Sequence, residues 1–376
     1  MEIWEDGLLF TPADDFQPGS LWLRAGRIVA VAQRPQADWL GRRRRLEGAL
    51  VTPGFIDVHI HGAGGADALD GRPEALSGLA WTLRRHGVTG FVATLASAAR
   101  STLEAALAAC AVPLPPTAAE LLGVHLEGPY LAPEKAGAQP GAALRLPDPA
   151  EYMAWLEHPL MRLITVAPEL PGSEALIRAA RARGLHVALG HTQADYALTR
   201  RAADWGAQGI THLFNALPPL HHRQPGAVEA ALDDDRFFLQ LIADGVHVHP
   251  AWLRLTLRLA AERTVLISDA IRAAGLPDGS YSFAGQRIEV HAGVARLADG
   301  TLAGSVTLLD GALRYLVHQA GLPLAKVLPL LTWQPARLLG LQDRYGCLAP
   351  GYIANLTVLD PLSLEVLDCV VRAGAG

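Results

Sequence analysis

PGFIDVHIHG, residues 53–62, is the stretch whose reading decides the fold. Side chains alternate along a strand, so Ile56, Val58 and Ile60 point one way while Asp57, His59 and His61 point the other. One face is apolar. The other carries groups that bind protons or metal ions. A half-buried strand with its polar side toward water would alternate in the same way, so the pattern alone admits both readings. Histidine is nevertheless an unusual choice for a solvent face, and two at this spacing converge on one point. The rest of the chain has to decide between them.

From Gly54 onward, short apolar runs alternate with amphipathic stretches. Eight runs can be counted: GFIDVHI, TGFVATL, LLGVHLEG, LITVAPE, LHVALGHT, GITHLFNA, FFLQLIADG and VLISDA. Helical stretches such as PEALSGLAWTLRRHG, SEALIRAARARG and DYALTRRAADWG lie between them. Strand–helix alternation implies right-handed crossovers and a parallel sheet. Eight units predict an α/β fold, a closed (β/α)8 TIM barrel. A doubly wound open sheet is the alternative, but no G-x-G-x-x-G opens any unit. The chain ends alternate with turns instead, which predicts small antiparallel sheets. Their simplest packing is one small β-sandwich formed by residues 1–52 and 340–376, flanking a catalytic barrel over residues 53–339.

Composition narrows the function. The 376 residues are half hydrophobic, enough for a sizeable core. A net charge of −5 argues against nucleic acid and leaves an anionic substrate open. The run Arg42 to Arg45 reads as a solvated turn. Cys110, Cys347 and Cys369 are too few and too far apart for a disulfide framework or a cysteine zinc motif. MEIWEDGLLF shows no secretory signal, and no apolar run has membrane-spanning length. The expectation is a cytoplasmic protein with no membrane partner.

A barrel of this kind carries its chemistry at the C-terminal strand ends. His59 and His61 stand at the first, Glu127 at the third, His191 at the fifth, His212 at the sixth and Asp269 at the eighth. Each alone has an ordinary reading: a strand-end His can bond a loop carbonyl, and an Asp can cap the next segment. Six such residues around one mouth form the signal. Imidazole with carboxylate suits Zn²⁺ or Fe²⁺. Such an ion lowers the pKa of a water to about 7, and a neighbouring Asp can take the proton and later deliver it to a leaving amine. That equipment hydrolyses an amide or cyclic imide, or deaminates a ring.

In this order, PGFIDVHIHG, HLEGPY, LGHT, THLFNA, ADGVHV, ISDA and GTLAGS resemble the amidohydrolase superfamily, and within it the N-acetylglucosamine-6-phosphate deacetylase family. The tail GCLAPGYIANLTVLD is similar to the superfamily's closing β-segment. The resemblance implies hydrolysis of the acetamido group of N-acetylglucosamine 6-phosphate, in amino-sugar catabolism. It implies Glu127, His191 and His212 as the main metal ligands, with Glu127 in place of the carboxylated Lys common elsewhere. It implies His59 and His61 as a second metal position, hence one or two ions, and Asp269 as general base and acid. Asn215 and Ala216 match positions that hold the sugar phosphate, and Arg223 and His247 match its charged contacts. An Arg fork donates two parallel hydrogen bonds to a phosphate. Ala138 matches a backbone contact to substrate, while Leu302, Ala303 and Gly304 match the segment near the acetyl group. A homodimer that completes the site is also implied.

One departure stands out. The family often reads K-G-A-H after the HLEGP loop; this chain reads EKAGAQP, with Gln139 in place of the His. Gln cannot carry positive charge, so sugar recognition is open there. His125 is expected to be packed in the core or to support the ligands from behind, His221 and His222 to lie at the surface, and His249 to cap a helix or lie at the surface. Asp57 is expected to support the two histidines by hydrogen bonding. The rival readings are an N-acetylgalactosamine-6-phosphate deacetylase, a cyclic amidase or deaminase, and a non-catalytic scaffold.

Overall fold

Every residue of the first barrel strand, Phe55–Ile60, is buried on both faces. Its polar side therefore faces the protein interior, which removes the solvent-face reading. The computed structural model describes residues 1–11, 15–32 and 41–372. The parts of the terminal-sheet expectation that fall on residues 12–14, 33–40 and 373–376 lie outside the described residues.

All eight apolar runs form strands of one parallel sheet, with neighbours in chain order. After Phe55–Ile60 come Val88–Leu95, Glu120–Glu127, Met161–Val166, His186–Leu189, Gly209–Ile210, Phe238–Ile242 and Thr264–Ile267. Strand two, VTGFVATL, is buried throughout, as expected when helices cover one face and the barrel interior the other. The last strand returns to the first. Asp269 N–H donates to His59 O at 3.0 Å, and His61 N–H to Ala270 O at 2.9 Å.

The crossover helices form where the sequence signals them. Pro73–Arg85 opens on Pro and buries Leu76, Leu79 and Leu83 along one stripe. Tyr196–Trp205 is capped by Asp195, which accepts from Leu198 N–H, and stops at Gly206 with φ 120°.

Both chain ends build a second unit, a seven-stranded sheet. Leu50–Pro53 pairs with Leu356–Leu359 on one side and with Glu2–Thr11 on the other. Arg27 bridges Ile353, so the sheet folds over a shared core of Trp4, Leu21, Val51 and Leu356. The basic run departs from expectation: Arg42–Arg45 is a strand along Glu2–Glu5, not a solvated turn. Unpaired backbone on that edge accepts it, and Arg43 and Arg44 pair with Glu5 and Asp368.

The sheet passes straight into the barrel. Pro53 ends one and Phe55 begins the other. At Gly54 between them, an added Cβ would lie 2.1 Å from Thr89 Oγ1. The two backbones therefore meet closely where strand one begins. A three-stranded antiparallel flap, Gly279–Phe283, Gln286–His291 and Val294–Arg296, follows strand eight. Among the described residues, no helix is long and apolar enough to cross a membrane.

Candidate metal centre and cleft

Two groups of three side chains meet at the C-terminal mouth of the barrel. One is His59, His61 and Asp269; the other is Glu127, His191 and His212. In each group the donor atoms lie within 4.8 Å of one another. Glu127 joins them. Its Oε1 lies 3.1 Å from His212 Nε2 and 3.4 Å from both His191 Nε2 and His59 Nε2. Its Oε2 lies 3.2 Å from His61 Nε2. Asp269 Oδ1 is 3.3 Å from Nε2 of both His59 and His61.

The backbone aims these groups inward. Strand six is only Gly209–Ile210, so His212 stands in the turn beyond the strand rather than on it. His191 and Asp269 likewise follow their strands. All three adopt left-handed backbone, with φ of 47° at His191, 31° at His212 and 49° at Asp269. Non-glycine residues rarely sit there, and such strain concentrates at functional sites.

Each of the four rings is held at Nδ1. His59 meets Gln240 Oε1 at 2.9 Å, His61 meets Thr94 O at 3.2 Å, His191 meets Lys135 O at 2.7 Å and His212 meets Asn215 O at 3.2 Å. Oxygen acceptors at Nδ1 place the ring proton there and leave the Nε2 lone pair facing the centre. His59 Nε2 is fully buried and has no hydrogen-bond partner. An inward Nε2 without a partner, beside two carboxylates, fits a divalent cation.

The electrostatics agree. Burial pushes the Glu127 carboxyl up, but charge on His59 and hydrogen bonds from His191 and His212 hold it well below its usual range. Asp269 is likewise held down against burial by His59 and His61. Burial opposes charge on His59 and His61, yet the two carboxylates prevail. His59 is raised well above its ordinary value, and His61 to about 9. Burial and the neighbouring His59 instead push His125 well below its ordinary value. The centre calls for positive charge, which protons or a metal ion can supply.

The cleft beside this centre is lined by His61, Glu127, His191, His212 and Asp269. Ala138, Asn215, Ala216, His247, Leu302 and Gly304 line it as well. His59 is buried behind the lining, and Ala303 is fully buried without reaching it. Arg223 is not brought to the cleft. It is exposed, its Nη1 lies 2.9 Å from His222 Nε2, and its loop is tied outward by Glu229, which accepts from His221 and Gly226 N–H.

His249 caps its helix by accepting from Ala251 N–H, and His125 is packed between Thr94 and Thr165. Asp57 supports the site differently from expectation. Its Oδ1 accepts from the backbone N–H of His59 and Ser268, so it holds strands rather than imidazoles. Burial raises its pKa to about 6.

Sequence reasoning missed Gln240, Thr94 and Phe283. Gln240 is a lone polar residue inside FFLQLIADG, which is a usable signal. Phe283 belongs to the flap, whose turns Ala284–Gly285 and Ala292–Gly293 have positive φ. Two such pairs between alternating runs are a hairpin signature. The Phe283 ring lies 5.0 Å from that of His61.

Residues 50–373 match the Amidohydrolase family, and the chain belongs to that family. It is 42% identical over 316 residues to the N-acetylgalactosamine-6-phosphate deacetylase of Escherichia coli O157:H7, covering 83% of this chain and 84% of the relative. It is 35% identical over 377 residues to the N-acetylglucosamine-6-phosphate deacetylase of Bacillus subtilis, covering 98% and 95%. A mutant N-acetyl-D-glucosamine-6-phosphate deacetylase from Mycobacterium smegmatis, in complex with N-acetyl-D-glucosamine-6-phosphate, is similar in structure. The TM-score is 0.90 at 34% identity, over 99% of this chain and 98% of that one.

Gly62 provides a test of how tightly the mouth is built. A Cβ there would lie 2.2 Å from Ala66 O and 2.9 Å from Arg272 N, both backbone atoms. Gly62→Ala is expected to cost roughly 1–3 kcal/mol in chemical denaturation, the usual penalty of overpacking. An unchanged midpoint would show that the chain after His61 yields freely.

Proposed function

We propose that this chain hydrolyses the acetamido group of N-acetylglucosamine 6-phosphate, releasing glucosamine 6-phosphate and acetate. The carrying observation is the placement of Glu127 between two inward-facing ligand groups, with Asp269 at the same mouth. The names of the relatives supply the substrate class. In this reading Glu127, His191 and His212 hold one divalent ion, and His59 and His61 with Asp269 hold a second position. Mixed imidazole and carboxylate donors suit Zn²⁺ or Fe²⁺. Such an ion supplies Lewis acidity and a water of lowered pKa.

The chain's own residues do the rest. Asp269 accepts a proton from the attacking water and returns it to the departing amine nitrogen. Leu302, Ala303 and Gly304 bound the acetyl end, Ala303 from behind the lining, and Ala138 meets the substrate through its backbone. Asn215, Ala216 and His247 hold the phosphate end, so remote binding becomes orientation of the amide. Arg223 stands outside the cleft of its own chain.

A homodimer is part of the reading. Trp252, Leu255 and Leu259 are exposed on one stripe of the helix Pro250–Ala260, at helical spacing. Trp252 also packs against Phe214, one residue from Asn215. An apolar stripe beside the phosphate end supports an interface there. Leu255→Glu is expected to lower the sedimenting mass from dimer to monomer, and an unchanged mass would remove this face from the assembly. The substrate's phosphate carries about −1.5 to −2 charges and does not cross a bilayer unaided, which supports action in the cytoplasm, where sugars are phosphorylated.

The 42% identity to a galactosamine-type deacetylase favours a second reading, the galacto sugar. Relative turnover of the two sugars separates them. The first test is acetate release from N-acetylglucosamine 6-phosphate before and after chelation, with Asp269→Asn as control. Activity should vanish with chelator, return with Zn²⁺ or Fe²⁺, and fall by at least about 10²-fold in the variant. Full activity in the presence of chelator, or in Asp269→Asn, would sink the mechanism.

His247 gives a pH prediction. Burial lowers its pKa, but Asp244, whose carboxylate lies 2.7 Å away and is itself depressed to about 2, raises it overall. The imidazolium thus persists above the ordinary 6.5 and is lost as pH rises through the raised value. KM for the phosphorylated sugar should climb across that window, and His247→Gln should flatten the climb. The same climb in the variant would take His247 out of phosphate binding.

A further inference from the structure

Gln139 lies where the chemistry of the site leaves it no stated task, yet it is almost completely buried. Its Oε1 accepts from Ser97 N–H at 2.7 Å, and its Nε2 donates to Glu127 Oε2 at 2.7 Å. An amide oxygen only accepts and an amide nitrogen only donates. The Ser97 bond therefore fixes which end of the amide faces Glu127. We propose that Gln139 is a positioning residue that sets the plane of the Glu127 carboxylate between the two ligand groups. This rests on the reading of Glu127 as a metal ligand.

Three observations support it. First, the terminal torsion of a glutamate is broad and has no strong preference of its own, so something outside the side chain must choose its plane. Gln139 does so by holding Oε2 on the His61 side, which leaves Oε1 toward His191 and His212. Second, the donor is neutral at every pH. It stabilises the anion without placing a competing cation beside a metal position. Third, the loop that carries Gln139 is itself anchored. Ala138 O accepts from Gln286 Nε2 of the flap at 2.7 Å, and Gln139 N–H donates to Ala136 O at 2.9 Å. The same loop supplies Lys135 O to His191 Nδ1. One loop thus orients two of the three donors in the Glu127 group.

The test is metal affinity. Metal-stripped protein is titrated with Zn²⁺ against a competing chelator, and thermal unfolding of the stripped protein is followed in parallel. Gln139→Met keeps the length of the side chain and removes both hydrogen bonds. It should weaken Zn²⁺ binding about 10–100-fold, the usual effect of losing a ligand's outer partner. A purely structural role would lower the unfolding midpoint and leave affinity unmoved. Should Gln139→Met fail to fold, Gln139→Asn makes the same comparison, because its amide is one methylene too short to reach both partners. Glu127→Gln separates the two readings. If it loses Zn²⁺ while the folded Gln139 variant binds as tightly as the parent, the positioning role is overturned and the ligand stands. If Glu127→Gln itself binds normally, the ligand assignment falls and takes this inference with it.

Discussion

A carboxylate sits almost wholly out of water at the mouth of this barrel, and much of the surrounding structure answers to it. Stripping a carboxylate of solvent costs several kcal/mol unless nearby positive charge and hydrogen bonds compensate. Glu127 is 2% exposed, with four imidazole nitrogens between 3.1 and 3.4 Å from its oxygens. Those rings come from strand one and from just beyond strands five and six, so most of the compensation of the carboxylate at the end of strand three arrives when the barrel closes, and Gln139 of the following loop adds a hydrogen bond at 2.7 Å. Folding and assembly of the site are therefore one event. The ring that completes the sheet also completes the charge balance.

The supports of the ligands are spread as widely as the ligands. Strand seven contributes Gln240 to His59, and strand two contributes Thr94 O to His61. The loop after strand three contributes Lys135 O to His191, and the turn after strand six contributes Asn215 O to His212. Of the four rings, His212 is held from its own turn and the other three from neighbouring units. A change in one loop is felt at the centre through a neighbour's hydrogen bond, which makes the geometry a property of the barrel rather than of any motif.

This distribution explains what could be read in advance. The eight strands were legible because buried parallel strands read as short apolar runs, and the six donors because they gather at one end of those runs. The second contacts were not. Three of the four Nδ1 acceptors are backbone carbonyls, and a carbonyl has no letter in the sequence. The length of strand six was hidden for a related reason. THLFNA has the composition of a strand, but positive φ at His212, Phe214 and Ala216 turns it into a loop. Arg223 was legible as a phosphate-type residue, yet which way its loop faces depends on Glu229, in the helix that follows. Asp57 was expected on the imidazoles because it shares their face; backbone amides at the strand ends claimed it instead.

The left-handed backbone at His191, His212 and Asp269 has a consequence for what can replace them. Positions of this kind cost of order 1–3 kcal/mol each for a residue with a Cβ, and glycine would relieve the cost. Glycine has no imidazole or carboxylate to offer. At these positions, then, the substitution that relieves the backbone is the one that removes the chemistry. Three donors in strained backbone at one mouth thus join a cost in the main chain to a function that only their side chains supply.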